Sequence, residues 1–282
     1  MKQRVLTSIV IIVVMLLLAI FSGYIVYPIA LAAAAIVAVF EILRVMGGAH
    51  KKLLLSIPAY LIAAAFPIVS YFVKREHEIV FLLTLAAALF VYMMWLMGVS
   101  VFSKGKTPFS RIAEVFSAVT YVTVSFTSLC LLRYQNEKYG LFVVVLAFLI
   151  PWICDVFAYF TGTLIGKHKL IPEVSPKKTV EGSIGGIIFA AIACGVYGLG
   201  LDLIIQDVKV NYLVLVLFGL LLSVVSQLGD LVASLIKREY GAKDYGTLFP
   251  GHGGIMDRFD SVLATSTILL ILTIIFPPFT HI

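Results

Sequence analysis

The chain alternates between long runs of apolar residues and short polar segments over almost its whole length. A helix needs about 20 mostly apolar residues to cross the hydrocarbon core of a bilayer, and several of these runs are long enough. The pattern therefore predicts an all-α, polytopic integral membrane protein with about nine transmembrane helices, whose ends are placed only to within a few residues. The predicted spans are residues 5–21, 25–43, 53–73, 79–103, 112–132, 141–166, 184–206, 212–236 and 261–279.

The first run follows Lys2 and Arg4, as the hydrophobic region of a secretory signal peptide would. Its apolar stretch is longer than the ~7–15 residues of such a region, and no A-x-A cleavage pattern follows it. We therefore expect a first helix that is retained in the membrane.

Composition supports the membrane prediction. Hydrophobic residues make up 61% of the chain, charged residues only 13%, and the mean hydropathy is +1.08. Soluble domains carry about a quarter of charged residues. A soluble globular protein is therefore excluded.

Most of the 21 Lys and Arg residues fall in alternate polar segments. Basic residues are held on the cytoplasmic side of a membrane, so the amino terminus is predicted inside the cell and the carboxyl terminus outside. The expected location is the cell membrane, inner or plasma, with the active side facing the cytoplasm. The net charge of +6 is then mostly a topology signal and gives no argument for binding nucleic acid.

The polar residues are distributed unevenly along what we expect to be a single polytopic domain, 1–282. Residues 1–150 are nearly all span and short loop and are predicted to be mainly scaffold helices, whereas 151–260 are predicted to supply the catalytic helices and cytoplasmic loops. The two longest loops on the predicted cytoplasmic side, 167–183 and 238–256, carry Gly and Pro among their charges. Neither is expected to form a continuous helix.

Polar residues recur every three or four positions in the eighth predicted span, at Ser226, Asp230, Ser234 and Lys237. This spacing places them on one face of a helix. An ionised carboxylate within a span costs at least ~2.5–3.5 kcal/mol on insertion scales, so Asp230 is expected to face a cavity, a partner or an ion. The alternative is an Asp–Lys pair that only holds helices together.

The sixth predicted span repeats this arrangement at Asp155, Tyr159, Gly162 and Gly166. Its G-x-x-x-G pattern lets another helix approach closely, so helix packing alone is a strong alternative to chemistry here. Gly166 is followed by Lys167, but the glycine spacing is one residue short and no Ser or Thr follows the Lys, which excludes a phosphate-binding P-loop.

Two carboxylates, Asp257 and Asp260, lie three residues apart at the start of the last predicted span. If this segment is helical, both project from one side, with Arg258 off that face. Carboxylate oxygens that converge near Asp230 would suit a hard divalent cation such as Mg²⁺. The alternative is that both acids merely complement the helix dipole.

The sequence GHGG at 251–254 lies just before this pair of carboxylates. Glycines allow backbone N–H groups to approach an anion closely. His252 is able to donate a hydrogen bond or a proton. The segment is therefore a candidate binding site for phosphate.

The other long loop offers Ser175, Lys177, Lys178 and Thr179 within five positions. Cations and hydroxyl groups so close together can bind several phosphate oxygens. Clustered lysines beside a span also attract anionic lipid headgroups without any catalysis, and this alternative stays open. Taken together, the carboxylates, cations and glycines indicate phosphate chemistry under metal control.

The stretch SLIKREYGAKDYGTLFPGHGGIMDRFD, residues 234–260, closely resembles the signature of the phosphatidate cytidylyltransferases, also called CDP-diacylglycerol synthases. It matches every specified position of S-x-hydrophobic-K-R-x4-K-D-x-small-x2-hydrophobic-P-x-H-G-G-hydrophobic-x-D-R-hydrophobic-D. A second segment similar to this family, D-x-x-A-Y-x-x-G followed by S-P-K-K-T-x-E-G, occurs at 155–162 and 175–182. The first half of the chain resembles the family only in being helical and apolar.

This resemblance implies transfer of CMP from CTP to phosphatidate, which yields CDP-diacylglycerol and pyrophosphate in phospholipid biosynthesis. It implies a requirement for Mg²⁺, leaves room for a monovalent cation such as K⁺ beside it, and implies a homodimer among membrane lipids. The lipid phosphate would attack the α-phosphorus of CTP in line while basic residues neutralise the departing pyrophosphate. A phosphate monoester is already a nucleophile, so no strong general base is demanded.

Mapped onto this chain, the resemblance implies three sets of site residues. The metal ligands are Asp230, Asp257 and Asp260. The catalytic set contains these three with Lys237, Arg238, His252 and Arg258. The substrate-binding set is Asp155, Tyr159, Ser175, Lys177, Lys178, Thr179, Ser234, Lys243, Asp244, Gly253 and Gly254.

Two other classes of function remain compatible with the residues. A membrane lipid kinase, or a cytidylyltransferase for another anionic lipid, would use a similar set of carboxylates and cations. An ion-coupled transporter would also place Asp155 and Asp230 within spans.

Overall fold

Eight helices long and apolar enough to cross a membrane are present in the computed structural model, which describes residues 13–14, 16–73, 75–134, 138–205, 207–251 and 253–281. They are α1 (Val26–Val45), α2 (Leu53–Ser70), α3 (Glu78–Phe102), α4 (Phe109–Tyr134), α5 (Gly140–Ile165), α6 (Val180–Ile204), α7 (Tyr212–Glu239) and α8 (Met256–Ile275). Each overlaps one of the last eight predicted spans, so the predicted all-α membrane architecture is confirmed. The first predicted span, 5–21, lies mostly outside the described residues, and its described part is helical at 16–20.

Short elements that hydropathy did not predict lie between these helices and after the last one. Two 3₁₀ helices occupy Ala49–Lys51 and Arg75–His77. Among the described residues, four strands form two antiparallel pairs, β1 (Lys169–Ile171) with β2 (Ser175–Thr179) and β3 (Val208–Val210) with β4 (Phe279–His281).

The start of α8 differs from its predicted position. The apolar run begins at 261, but the helix begins at Met256 and includes Asp257 and Asp260 in its first turns. Hydropathy detects only the apolar part of a helix, whereas acidic residues near a helix N-terminus are favourable because they complement its dipole. Both carboxylates are therefore helical, as expected.

The two long polar loops are not continuous helices, as predicted. Segment 167–183 contains the β1–β2 hairpin and then the first turn of α6. The described residues of 240–255, called the signature loop below, form turns and bends, with a bridge between Phe249 and Gly253.

The first of two compact units consists of residues 1–137 together with 239–259. Its helices α1, α2 and α4 pack against one another through small side chains with no exposed surface, among them Ala35, Ala38, Ala59 and Ala63. Small residues let membrane helices approach closely and gain dispersion contacts. The signature loop groups with these first-half helices, whereas the assignment of 1–150 to scaffold stays a prediction.

The second unit consists of residues 138–238 and 260–282. Glycines line the contact between α5 and α6: a Cβ on Gly182 would lie 2.6 Å from the Ala158 carbonyl oxygen and 3.1 Å from the Gly162 Cα. A Cβ on Gly186 would lie 2.7 Å from the Cys154 carbonyl oxygen. Close helix packing is therefore one role of Gly162 in the sixth predicted span.

The carboxyl-terminal strand ties the end of the chain back to the second unit. In the β3–β4 pair, Val208 lies opposite His281 and Val210 lies opposite Phe279. The loop between α6 and α7 therefore lies at the same end of this unit as the carboxyl end of the chain.

Gly219 in α7 has no room for a side chain, since a Cβ would lie 2.6 Å from the Ala191 Cα and 2.9 Å from the Ala190 carbonyl oxygen. We expect Gly219→Ala to lower the thermal unfolding midpoint in detergent, because overpacking typically costs about 1–3 kcal/mol. Gly200→Ala in α6 is the matched control, since a Cβ there meets nothing within 4 Å and alanine favours a helix over glycine. Equal midpoints for the two variants would contradict this packing.

Candidate active site

An ion pair between Lys178 of β2 and Asp230 of α7 is central to the second unit. The two side chains are only 23% and 26% exposed. Attraction between unit charges is several times stronger in such surroundings than in bulk water. The charge of Asp230, which the sequence places inside an apolar span, is thus compensated by Lys178 of the β1–β2 hairpin.

Asp260 of α8 lies in the same electrostatic neighbourhood. Its carboxyl group interacts electrostatically with the carboxylates of Asp230 and Asp155 and with the ammonium group of Lys237. α8 reaches this position because Gly229 of α7 has no side chain, and a Cβ there would lie 3.0 Å from the Asp260 carbonyl oxygen. The glycine next to Asp230 therefore lets α7 and α8 approach beside it.

The ion pair and these electrostatic interactions involve five predicted site residues from four elements of the second unit, α5, β2, α7 and α8. Three are carboxylates and two are ammonium groups: Asp155, Asp230, Asp260, Lys178 and Lys237. Neighbouring carboxylates repel one another and therefore favour a bound cation. The cluster adds Asp155 to the two carboxylates of this unit that the sequence assigned to metal.

The donor set of the second unit fits a magnesium ion bound together with substrate. Mg²⁺ commonly uses one or two protein carboxylates and completes its shell with water and substrate phosphate oxygens. Asp230 and Asp260 supply two such carboxylates, and the Asp230 carboxylate is oriented by its pair with Lys178. Among the described residues, no group of three or more His, Cys, Asp or Glu side chains is arranged to hold a metal by itself.

The β1–β2 hairpin positions the lysine of this ion pair. Glu181, at the start of α6, accepts the backbone N–H groups of Lys167 and His168 and also contacts the His168 ring at 2.6 Å. Thr179 caps α6, since its hydroxyl accepts the Gly182 N–H at 3.1 Å. Sequence reasoning missed Glu181 and treated Thr179 only as a substrate ligand, although a Thr before a helix followed by an acid is a capping signal.

Several predicted site residues have side chains that other parts of the protein leave exposed. Tyr159 on α5 is 67% exposed, and Ser175 and Ser234 are partly exposed. The exposed charged residues are Asp155, Lys177, Arg238, Lys243, Asp244 and Arg258. His252 lies outside the described residues.

Asp257 organises the signature loop in the first unit. This carboxylate is 8% exposed, and its Oδ2 accepts backbone N–H groups from Tyr245 at 2.8 Å, Gly246 at 3.3 Å and Gly254 at 2.9 Å. Hydrogen bonds to an ionised acceptor are stronger than neutral ones. The metal role of Asp257 stays a prediction, but the same carboxylate also holds the loop.

The glycines of GHGG therefore have a role that the sequence did not predict. The Gly254 N–H donates to Asp257, so the anion that it approaches belongs to the protein itself. Gly253 has a φ of +82°, and a Cβ there would lie 2.5 Å from the Asp257 Oδ2. Only glycine combines this backbone conformation with such a close approach.

Charged residues of the first-half helices, which were not considered as site residues, also hold the signature loop. Arg44 of α1 donates to the Tyr245 carbonyl at 2.6 Å, and Glu41 accepts the Met256 N–H at 2.9 Å. A signal was present in the sequence, because Glu41 is an acid inside an apolar run and such residues are rare in spans unless they have a function.

The loop's first residue contacts α4. The Tyr240 ring lies 5.9 Å from the Arg111 guanidinium carbon, and Arg111 pairs with Glu114 at 3.0 Å. Burial, and next its hydrogen bond to Glu114, raise the pKa of the Tyr240 phenol. Tyr240 is therefore a neutral donor at physiological pH.

Comparison with known proteins identifies relatives over nearly the whole chain. The profile of the cytidylyltransferase family matches residues 2–276. A phosphatidate cytidylyltransferase of Bacillus subtilis is 37% identical over 280 residues, which cover 98% of each chain. Proteins with the same name from Staphylococcus epidermidis and Staphylococcus aureus are 36% and 35% identical, and each alignment covers 97% of this chain and 99% of the relative.

Proposed function

This chain belongs to the cytidylyltransferase family, and we propose that it makes CDP-diacylglycerol through the charged cluster of Asp155, Lys178, Asp230, Lys237 and Asp260. It is a nucleotidyltransferase that transfers CMP from CTP to phosphatidate and releases pyrophosphate, in phospholipid biosynthesis. The observation that carries the proposed site is the half-buried Lys178–Asp230 pair with Asp260 beside it.

Both substrates are polyanions, so the first requirement of the reaction is to overcome their mutual repulsion. A phosphate oxygen of phosphatidate attacks the α-phosphorus of CTP, a new P–O bond forms, and the bond to the β-phosphate oxygen breaks. The negative charge then resides on pyrophosphate. Lys178 and Lys237 supply positive charge next to the carboxylates, which suits stabilisation of this charge as it develops.

We assign Asp230 and Asp260 to hold Mg²⁺ in the substrate complex, and the family resemblance adds Asp257. When bound, the ion would polarise the transferring phosphoryl group and neutralise the charge on its oxygens. We extend this proposal to a monovalent cation such as K⁺, bound beside the Mg²⁺. Lys178 would keep the Asp230 carboxylate oriented, and Asp155 would add negative charge that favours cation binding at Asp260.

The hairpin lysine Lys177 is exposed beside the start of α6 and is assigned to the phosphate of phosphatidate or CTP. Clustered lysines next to a span also attract anionic headgroups, which would concentrate a lipid substrate at the same surface. We further propose that the protein works as a homodimer, with the hairpin and signature loop on the cytoplasmic side, the amino terminus inside and the carboxyl terminus outside.

The type of reaction is tested with purified protein in detergent, phosphatidate, Mg²⁺ and CTP labelled at either the α- or the γ-phosphate. Label from the α-phosphate is expected in the lipid and label from the γ-phosphate in pyrophosphate. Transfer of the γ-label to lipid would instead indicate a lipid kinase. An ion-coupled transporter would release no pyrophosphate in response to phosphatidate.

The roles of Asp230 and Asp260 predict large kinetic effects from neutral, isosteric substitutions. Asp230→Asn and Asp260→Asn should each reduce kcat by about a hundredfold or more, because metal stabilisation is worth several kcal/mol and ~1.4 kcal/mol is tenfold in rate. Both should accumulate in the membrane, since removing a charge does not hinder insertion. The control is Asp207→Asn, an exposed carboxylate 3.6 Å from Lys138, which should retain activity. Near-normal turnover by well-folded Asp230→Asn and Asp260→Asn would reject the metal assignment.

The proposed orientation predicts which engineered cysteines react in intact cells. Glu173→Cys in the hairpin and Thr247→Cys in the signature loop replace exposed residues. A membrane-impermeant maleimide should label both only after the cells are permeabilised, whereas Lys209→Cys on β3 should be labelled without permeabilisation. The three native cysteines are buried, so background labelling should be low. Labelling in the reverse order would invert the topology.

A further inference from the structure

Glu41, far from the family signature in sequence, places a buried carboxylate against the signature loop. The residue lies near the carboxyl end of α1 and is only 3% exposed. Its Oε2 accepts the Met256 N–H at 2.9 Å. A buried carboxylate requires such partners, because burying an unpaired charge is costly.

Two glycines of the signature loop pack directly against this carboxylate. A Cβ added to Gly246 or to Gly254 would collide with the Glu41 carboxyl group, and one added to Gly246 would also lie 2.7 Å from the Gly254 Cα. Both glycines are buried. The approach of Glu41 therefore explains why neither position has space for a side chain.

The same helix contacts the loop with a second group of opposite sign. Arg44 lies three residues after Glu41 in α1, and its Nη2 donates to the Tyr245 carbonyl oxygen at 2.6 Å. Tyr245 is fully buried. α1 thus offers both an acceptor and a donor to the loop backbone, which defines the position of the loop more closely than either contact alone.

Glu41 and Asp257 accept different backbone N–H groups of this segment. Asp257 accepts the N–H groups of Tyr245, Gly246 and Gly254, and Glu41 accepts that of Met256, the first residue of α8. We propose that Glu41 is a positioning residue: it fixes the signature loop and the first turn of α8, and so holds Asp257 and its neighbours in their working geometry.

The kinetic part of this inference rests on the proposed function, because the segment that Glu41 holds carries residues assigned to substrate and metal. A displacement of about 1 Å at a reacting group can reduce the rate by about a hundredfold. Loss of a positioning residue should therefore lower kcat while the substrates still bind.

The structural part is tested by hydrogen exchange of the full-length protein in detergent without substrate, followed in peptides that cover 245–256. Glu41→Ala should accelerate exchange there by about tenfold or more, since the Met256 N–H loses its acceptor. Glu41→Gln keeps an acceptor but loses the charge that strengthens the hydrogen bond, so its exchange should be intermediate. Glu78→Gln, the same substitution in the first turn of α3, is the control. Its hydrogen exchange at 245–256 should match that of the unsubstituted protein. If Glu41→Ala does not accumulate, Glu41→Gln decides the question.

Initial rates of lipid product formation give the second readout. We expect kcat to fall by about a hundredfold in Glu41→Ala and by less in Glu41→Gln, with KM for CTP changed less than about threefold. Unchanged exchange at 245–256 in both variants would overturn the proposal. The proposal would also be overturned if exchange accelerated in every helix and activity fell only in proportion to the fraction of unfolded protein. That result would indicate a general structural role for Glu41. The exchange result does not depend on which reaction the protein catalyses, so failure of the proposed function would be recognised separately.

Discussion

A charge placed among apolar helices must be compensated where it lies, and this requirement organises each unit of the protein. In the second unit, the Asp230 carboxylate is paired with Lys178, which the β1–β2 hairpin supplies. In the first unit, Asp257 and Glu41 are compensated by backbone N–H groups of the signature loop. Because uncompensated charges are costly away from water, each carboxylate fixes the segment that provides its partners.

Glycine makes both kinds of compensation sterically feasible. Gly229 lets α7 and α8 approach beside Asp230, and Gly254 lets the loop backbone lie directly against Glu41. A Cβ at Gly229 would collide with Ala264, and one at Gly254 would collide with the Glu41 carboxyl group. In this protein, close backbone packing at glycines therefore accompanies the electrostatic compensation of buried carboxylates.

The compensated charges also suit the chemistry of two anionic substrates. A lysine already paired with a carboxylate is held in a defined position, so less reorganisation is needed when charge develops on a phosphoryl group. If Asp230 and Asp260 hold Mg²⁺ as proposed, substrate oxygens would complete its coordination, which is how Mg²⁺ commonly binds nucleotides. Positioning and electrostatics account for most catalysis of phosphoryl transfer, and the described cluster offers both.

The sequence by itself determined the membrane architecture and the family of the protein. Hydropathy located eight described helices because a span is a local property of about 20 consecutive residues. The signature and the second motif contain Asp155, Lys178, Lys237 and Asp260, and Asp230 was recognised as a carboxylate inside an apolar span.

Only the tertiary structure decided how these residues are partnered. Nothing in the local pattern indicates that Lys178 pairs with Asp230, that β1 and β2 form a hairpin, or that the N–H of Gly254 binds Asp257. Glu41 was visible as an acid in an apolar run, but its partner is a backbone N–H more than two hundred positions away. Backbone donors carry no sequence identity, and a long-range contact depends on how helices pack, so the physical role of Glu41 emerges only when the folded chain brings the two together.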